Sequence, residues 1–87
     1  MKILNKAIDV LCWFDYLGSP NPVRFRLKDE TGAFAIVKIH KIITKEHEKL
    51  AGNKMIVFTC QCVIQNTEKI IVIKYEIDSC KWILFKL

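Results

Sequence analysis

Apolar and polar residues alternate along most of this chain, which is the pattern of half-buried β-strands. The alternating runs are rich in Ile and Val, whose β-branched side chains fit the pleated surface of a sheet. Short segments containing Gly, Pro, Asn or Asp separate the runs. The pattern predicts an all-β protein, or a mainly β protein with one short helix: an antiparallel meander of five to six strands forming a roll or small barrel. An OB-like and an SH3-like barrel both fit this strand count.

The first predicted hairpin is centred on residues 29–32, where Gly32 can adopt a positive φ. If these four residues form the loop, one face of the hairpin is apolar and the other is basic. The expected core-side pairs are Phe25 with Ile36 and Leu27 with Phe34. On the opposite face we expect Arg24 and Arg26 beside Val37 and Ala35.

The alternating pattern also predicts a second hairpin, with a loop at residues 65–68. The expected core-side residues are Ile56, Phe58, Cys60 and Cys62 on one strand, and Ile71, Ile73, Tyr75 and Ile77 on the next. A two-residue turn at Asp78 and Ser79 then adds Cys80, Trp82 and Leu84 to that face. It also sets Tyr75 opposite Trp82 and Glu76 opposite Lys81, which are favourable cross-strand pairs.

Two segments leave alternatives open. Residues 44–53 have Thr44 as an N-cap and Gly52 as a C-cap, which indicate a short helix or helical turn, and a charged loop is the alternative. At the N-terminus, apolar residues recur at helical spacing over residues 2–12, whereas residues 7–14 alternate as a strand. The cluster of β-branched and aromatic residues favours the strand.

The 87 residues are enough for a single domain, 1–87, with a core of moderate size. Charged residues interrupt the N-terminal apolar stretch, and the longest uncharged run is too short and too polar for a membrane span. A cytoplasmic protein is expected. Fourteen basic residues against nine acidic ones leave a net charge of +5, which suits nucleic acid, anionic lipid or an acidic protein as partner.

The four cysteines are Cys12, Cys60, Cys62 and Cys80. A zinc site would draw on cysteine pairs two to four residues apart, whereas a C-x-C pair in a strand places both sulfurs on one face. Buried thiols are therefore the expectation, with a small metal-binding protein as an alternative function. No catalytic motif, phosphate-binding loop or cofactor signature is present, so we expect neither an enzyme nor a cofactor.

Basic residues alternate along one predicted strand and project from one face, where guanidinium groups could bind phosphate. The chain also offers two aromatic residues outside the predicted core. These observations suggest direct nucleic-acid binding as an alternative function. The candidate residues are Arg24, Arg26, Lys28, Lys38, Lys41, Trp13 and Tyr16.

A different signal lies on the last strands, where apolar residues fall opposite the core face. This outer apolar patch consists of Val63, Ile70, Val72, Ile83, Phe85 and Leu87. An uncovered patch of this kind is typical of an interface. The first hypothesis is therefore a non-catalytic binding module that acts through protein contacts, as a homodimer, with a protein partner or as an accessory to a nucleic-acid enzyme. Cover by an N-terminal helix is the alternative.

Several short segments together carry a resemblance. They are residues 13–15 (WFD), 22–25 (PVRF), 50–55 (LAGNKM), 74–76 (KYE) and 80–82 (CKW). The chain resembles small uncharacterised bacterial all-β proteins of Gram-positive type, some similar families of which are encoded beside translesion DNA polymerases. The resemblance implies a role accessory to DNA repair or to a polymerase, and it implies no active site.

Overall fold

The alternating runs form six antiparallel strands in the computed structural model, which describes residues 2–87. The strands are β1 (Ile3–Phe14), β2 (Pro20–Lys28), β3 (Phe34–Leu50), β4 (Asn53–Ile64), β5 (Thr67–Glu76) and β6 (Lys81–Lys86). Each strand pairs with the next, and β6 pairs with β1 to close a barrel. Lys2 and Leu87 exchange two backbone hydrogen bonds of 3.1 Å beside that closing ladder. The predicted all-β meander and small barrel are confirmed.

Every connection in this barrel joins two neighbouring strands, whereas a Greek-key OB-fold also has connections between strands that are not neighbours. β3 takes part in two ladders: residues 34–38 pair with β2, and residues 39–50 pair with β4. Register shifts near His40 and Ile43 mark where β3 turns from one ladder to the other. Within residues 2–87, the structure has no helix of the length and apolar character needed to cross a membrane.

Both ambiguous segments are strands. The N-terminal residues form β1, so the helical alternative is wrong and the preferred strand begins earlier than expected, at Ile3. The helix or loop predicted over residues 44–53 is also wrong, because β3 runs on to Leu50 and turns into β4 at Ala51 and Gly52. These two turn residues have φ values of 50° and 84°. The ladder with β4 satisfies the backbone groups that a helix would have bonded locally.

The β2–β3 hairpin differs from its prediction by one residue. The loop contains five residues, 29–33, and the observed pairs include Phe25 with Val37 and Leu27 with Ala35. Asp29 Oδ1 accepts hydrogen bonds from the backbone N–H groups of Thr31 and Ala33, which holds Ala33 in the loop. A one-residue slip exchanges the two faces of a strand. The expected core residues Phe34 and Ile36 are therefore exposed, with 53% and 69% of their surface accessible.

The predicted faces of β4, β5 and β6 are confirmed, although their loops differ. The β4–β5 turn has two residues, Gln65 and Asn66, instead of four, and this changes the register by two and preserves the faces. The predicted pairs of Tyr75 with Trp82 and Glu76 with Lys81 are present. The β5–β6 loop has four residues instead of two. Two of the loop residues expected on the core face, Ile77 and Cys80, are exposed there.

The core fills the barrel with aliphatic, aromatic and thiol side chains. Trp82 packs between two other aromatic residues of the core, because the centre of its ring lies 5.7 Å from that of Phe58 and 4.8 Å from that of Tyr75. The buried residues are Ile8, Phe25, Val37, Ile39, Ile56, Phe58, Cys60, Cys62, Ile71, Ile73, Tyr75, Trp82 and Leu84. Burying each large side chain contributes about 1.5–3 kcal/mol to folding.

Candidate functional site

The outer surface of β1, β2 and β3 carries an ordered array of exposed side chains, which we call the cationic face. Its cross-strand pairs are Asp9 with Arg26, Leu11 with Arg24, Arg26 with Ile36, Arg24 with Lys38, and Lys28 with Phe34. Trp13 follows Leu11 on β1 and is also exposed. The cationic face therefore consists of Asp9, Leu11, Trp13, Arg24, Arg26, Lys28, Phe34, Ile36 and Lys38.

The cations of β2 form the central line of this face. Residues two apart along a strand are separated by roughly 6.7 Å, so Arg24 and Lys28 lie roughly 13 Å apart. Neighbouring strands lie roughly 4.8 Å away on each side. There the face is mainly apolar, with Leu11 on β1 and Ile36 on β3. The result is a stripe of positive charge with exposed apolar side chains on both sides.

Arg26 is held in place by two neighbours. Its Nε atom donates a 2.9 Å hydrogen bond to Oδ2 of Asp9, and its guanidinium lies 4.3 Å from the centre of the Phe34 ring. Both partners of the ion pair are more than half exposed, so the pair contributes less than about 1 kcal/mol. Its effect is chiefly orientation, because it fixes the guanidinium of Arg26 beside Asp9 of β1 and the Phe34 ring of β3.

Arg24 and Lys38 present a different arrangement, because two cations lie directly opposite each other on neighbouring strands. Like charges in this position repel and destabilise the pair. Over residues 2–87 the ion pairs are Arg26 with Asp9 and Lys74 with Glu48, so neither Arg24 nor Lys38 has an acidic partner within ion-pair distance. An anion bound between them would relieve the repulsion.

A shallow cavity of about 370 Å³ opens on the cationic face. Its apolar lining includes Leu11 and Ile36 on either side of β2, and its polar lining includes Asp9, Arg24 and Arg26. This volume is within the range of small-molecule sites in proteins. The cavity therefore combines apolar surface with hydrogen-bond donors and an acceptor.

The structure brings together most of the residues predicted for nucleic-acid binding. Arg24, Arg26, Lys28, Lys38 and Trp13 share the cationic face. The other two lie elsewhere. Lys41 follows the register shift in β3 and pairs with Gln61 of β4, whereas Tyr16 is in the β1–β2 loop.

Sequence reasoning missed Leu11, Phe34 and Ile36 as members of this face. Phe34 and Ile36 were assigned to the core by the four-residue loop, and the five-residue loop turns them outward. The available signal was Asp29 at the start of the loop, since an Asp side chain there can accept hydrogen bonds from the residues that follow.

The β1–β2 loop exposes a second, smaller apolar surface at one end of the barrel. Tyr16 and Leu17 are 95% and 77% accessible, and we call these two residues the loop tip. Asp15 makes the loop rigid, because its Oδ1 accepts 2.9 Å hydrogen bonds from the N–H groups of Leu17 and Ser19. The Lys45 ammonium also donates a hydrogen bond to the Ser19 hydroxyl. The loop tip is thus held out from the barrel by an ordered turn.

The predicted outer apolar patch is less exposed than these surfaces. Four of its members, Val63, Val72, Ile83 and Phe85, are half-buried, and Ile70 is 40% accessible. The sixth, Leu87, packs against the core. Leu87 changes face because β6 has a bulge at Phe85: Val72 pairs with Lys86, whereas Ile73 pairs with Leu84. The extra residue turns Leu87 inward.

A partly buried ion pair lies beside this patch. Lys74 is 8% accessible, and its Nζ is 3.1 Å from Oε2 of Glu48 and 3.7 Å from the centre of the Phe85 ring. The ammonium group therefore contacts both a carboxylate and the face of an aromatic ring. Lys74 is therefore a structural cation and is not available to a ligand.

The thiols do not form a ligand cluster. Burial raises the pKa of Cys60 to about 12 and that of Cys62 to about 11, so both are protonated at neutral pH. Cys12 is half-buried and Cys80 is exposed. Throughout residues 2–87, no group of three His, Cys, Asp or Glu side chains is placed to hold a metal ion.

Comparison with known proteins finds no relative of this chain. No protein-family model, no curated protein and no solved structure matches the chain.

Proposed function

We propose that this protein is a non-catalytic binding module that binds nucleic acid through the cationic face. The observation that carries the proposal is the pairing of Arg24 with Lys38, two exposed cations directly opposite each other without an acidic partner. A phosphodiester group carries one negative charge, and binding it between the two side chains would offset their mutual repulsion. Guanidinium groups bind phosphate in a bidentate manner, which adds orientation to the attraction.

The rest of the face supports a polyanion over a single small anion. Lys28 lies roughly 13 Å from Arg24 along β2, so the stripe can contact successive phosphates of a chain. The net charge of +5 adds a long-range attraction for such a ligand. Exposed Trp13 and Phe34 supply flat apolar surfaces beside the cations. Interleaved cations and aromatic side chains are typical of surfaces that bind nucleic acid.

The test is fluorescence anisotropy of labelled oligonucleotides titrated with the protein at low and moderate salt. We expect binding that weakens steeply as salt increases. The variant Arg24→Ala with Lys38→Ala should weaken it at every sequence. The matched control is Lys49→Ala with Lys54→Ala, which removes an equally paired set of cations from the β3–β4 ladder. Equal losses in both variants, or no binding by the native protein, would contradict the proposal.

Protein contact is the second candidate function, and the loop tip favours it. Tyr16 and Leu17 are almost fully exposed on a turn that Asp15 keeps rigid, and rigid exposed aromatic side chains are common anchors in protein interfaces. The outer apolar patch remains a predicted alternative surface for a homodimer or partner.

Sedimentation equilibrium can separate these two surfaces. If the loop tip mediates self-association, the native protein should form dimers and Tyr16→Ser with Leu17→Ser should be monomeric. Ile70→Lys tests the outer apolar patch in the same way, since Ile70 is its most exposed member. A native protein that stays monomeric at high concentration would reject both surfaces as homodimer interfaces.

A further inference from the structure

The cavity on the cationic face has walls of unusual composition for a phosphate site. Leu11 and Ile36 are exposed aliphatic side chains on opposite sides of β2, with 54% and 69% of their surface accessible. A phosphate chain is strongly hydrated and would leave this apolar surface in water. The ligand that fits must therefore bring apolar surface of its own to the cavity.

The polar residues that line the cavity restrict the class of ligand further. Arg24 and Arg26 offer hydrogen-bond donors and a planar group for stacking, and the Asp9 carboxylate offers acceptors. A nucleobase has apolar faces, and its edge carries both donors and acceptors. One flat heterocycle can thus contact the aliphatic side chains, stack on a guanidinium and form hydrogen bonds with the polar lining residues.

We propose that this cavity receives one unstacked base, so that the ligand of the cationic face is single-stranded nucleic acid. In a duplex the faces of the bases are stacked on each other and are inaccessible, whereas a single strand can turn a base outward. Phosphates on either side of that base would lie over the cationic stripe. This inference rests on the proposed function and adds the class of nucleic acid and the place of the base.

The experiment compares three labelled ligands of equal length: a single strand, the same strand with abasic sugars throughout, and a duplex. The native protein should bind the single strand most tightly. Leu11→Ser with Ile36→Ser should weaken single-strand binding by roughly 5- to 150-fold, the range for removing an aromatic side chain on which a base stacks. The same variant should bind the abasic strand and the duplex as the native protein does.

A matched control is Ile43→Ser with Leu50→Ser, two exposed aliphatic residues on the second half of β3. We expect this variant to bind all three ligands normally. Because all four positions are exposed, both variants should remain folded, which urea unfolding can verify.

Two sets of results separate the inference from the proposed function. Equal affinity for single strand, abasic strand and duplex, unchanged in Leu11→Ser with Ile36→Ser, would overturn the base site and leave nucleic-acid binding standing. No binding of any of the three ligands at low salt would overturn both. An acidic aromatic peptide that displaces the single strand at lower concentration than unlabelled strand would also overturn it, because the cavity would then suit a protein partner.

Discussion

Phe34 and Phe58 look alike in the sequence, since each lies in an alternating apolar run, yet their surroundings differ completely. Phe58 is fully buried and contacts Trp82 in the core. Phe34 is exposed on the cationic face, with Arg26 over its ring. The difference depends on one loop residue, Ala33.

Alanine substitutions at these two positions test the register of β2 and β3. Phe58→Ala should lower the free energy of unfolding by about 3–5 kcal/mol, because it leaves a cavity in the core. Phe34→Ala should cost less than about 1 kcal/mol, since it removes only an exposed ring and its contact with Arg26. Urea unfolding measures both. A cost above about 3 kcal/mol for Phe34→Ala would show that Phe34 is buried and that the register is wrong.

The cysteines also differ from one another in burial, and the rates at which their thiols react should reveal this difference. At pH 8 a thiol reagent should modify exposed Cys80 quickly, and Cys60 and Cys62 only after unfolding, because burial raises their pKa to about 12 and about 11 and leaves little thiolate. Cys80→Ser should remove the fast phase. Rapid modification of two or more thiols in the folded Cys80→Ser variant would contradict this burial.

The same shifts predict how stability depends on pH. The ordinary pKa of a thiol is 9.0, and the folded values of Cys60 and Cys62 are higher. The unfolded state therefore loses these protons first, and the stability contribution of the two thiols is fully present below pH 9 and is lost as pH rises toward 12. In urea unfolding between pH 8 and pH 11, Cys60→Ala with Cys62→Ala should show a smaller fall than the native protein. If the free energy of unfolding falls equally in the variant and in the native protein, these thiols are not the cause of the fall.

The β4–β5 turn, like the connections that contain Ala51 and Cys80, holds a residue at a positive φ that its side chain disfavours. Gln65 and Asn66 both have positive φ values, 51° and 61°, as a type I′ turn requires. Asn tolerates this conformation, whereas Gln adopts it at a cost of about 1–3 kcal/mol. The hairpin forms because the paired strands bury their common face, which outweighs the strain in the turn.

Replacing the turn by Asn-Gly should therefore stabilise the protein. We expect Gln65→Asn with Asn66→Gly to raise the free energy of unfolding by about 1 kcal/mol, because Asn-Gly is the preferred type I′ sequence. Thr67→Gly is the control, since it places glycine in the adjacent strand and should destabilise by about 0.5–1 kcal/mol. Thermal unfolding of both variants gives the comparison. A lower melting temperature for the Asn-Gly variant would mean that the turn is not of this type.

The pair of Glu48 and Lys74 connects the second half of β3 to β5 across β4. Glu48→Gln should destabilise the fold by about 1–3 kcal/mol, because it leaves the buried Lys74 ammonium without its counter-charge. Lys74→Met should cost less, since methionine fills similar space against Phe85 without a charge. Asp9→Asn, which breaks the exposed pair with Arg26, should cost less than about 1 kcal/mol. Equal costs for Glu48→Gln and Asp9→Asn in urea unfolding would show that Lys74 is solvated.

The assembled barrel concentrates four cations on one face, and this determines how binding should respond to salt. If Arg24 and Lys38 share one phosphate of a single strand, and Arg26 and Lys28 each contact another, the logarithm of the binding constant should fall with the logarithm of the salt concentration with a slope of roughly −2. Lys28→Ala should reduce the slope by roughly 0.7. Anisotropy titrations at several salt concentrations give both values. A slope unchanged by Lys28→Ala would place the contacts elsewhere.

Much of the architecture was predictable because local pattern and packing agree. The faces of β4, β5 and β6 were predicted correctly even though the loop at Gln65 and Asn66 was two residues shorter than expected, since an even change in register preserves which side each residue faces. The cationic members of the candidate site were also predictable, because Arg24, Arg26 and Lys28 alternate in sequence. Its apolar members were not, because Phe34 and Ile36 changed face with a single loop residue.

By itself the sequence determined the all-β character, the meander order and the core side of the last three strands, because period-two alternation records which residues leave water. Only the tertiary structure decided the course of residues 44–53, the register of β2 with β3 and the closure of β6 on β1. Each of these depends on pairing between strands, and backbone hydrogen bonds with a partner strand outweigh weak local preferences such as the caps at Thr44 and Gly52. The same pairing set two cations opposite each other and opened the apolar cavity beside them.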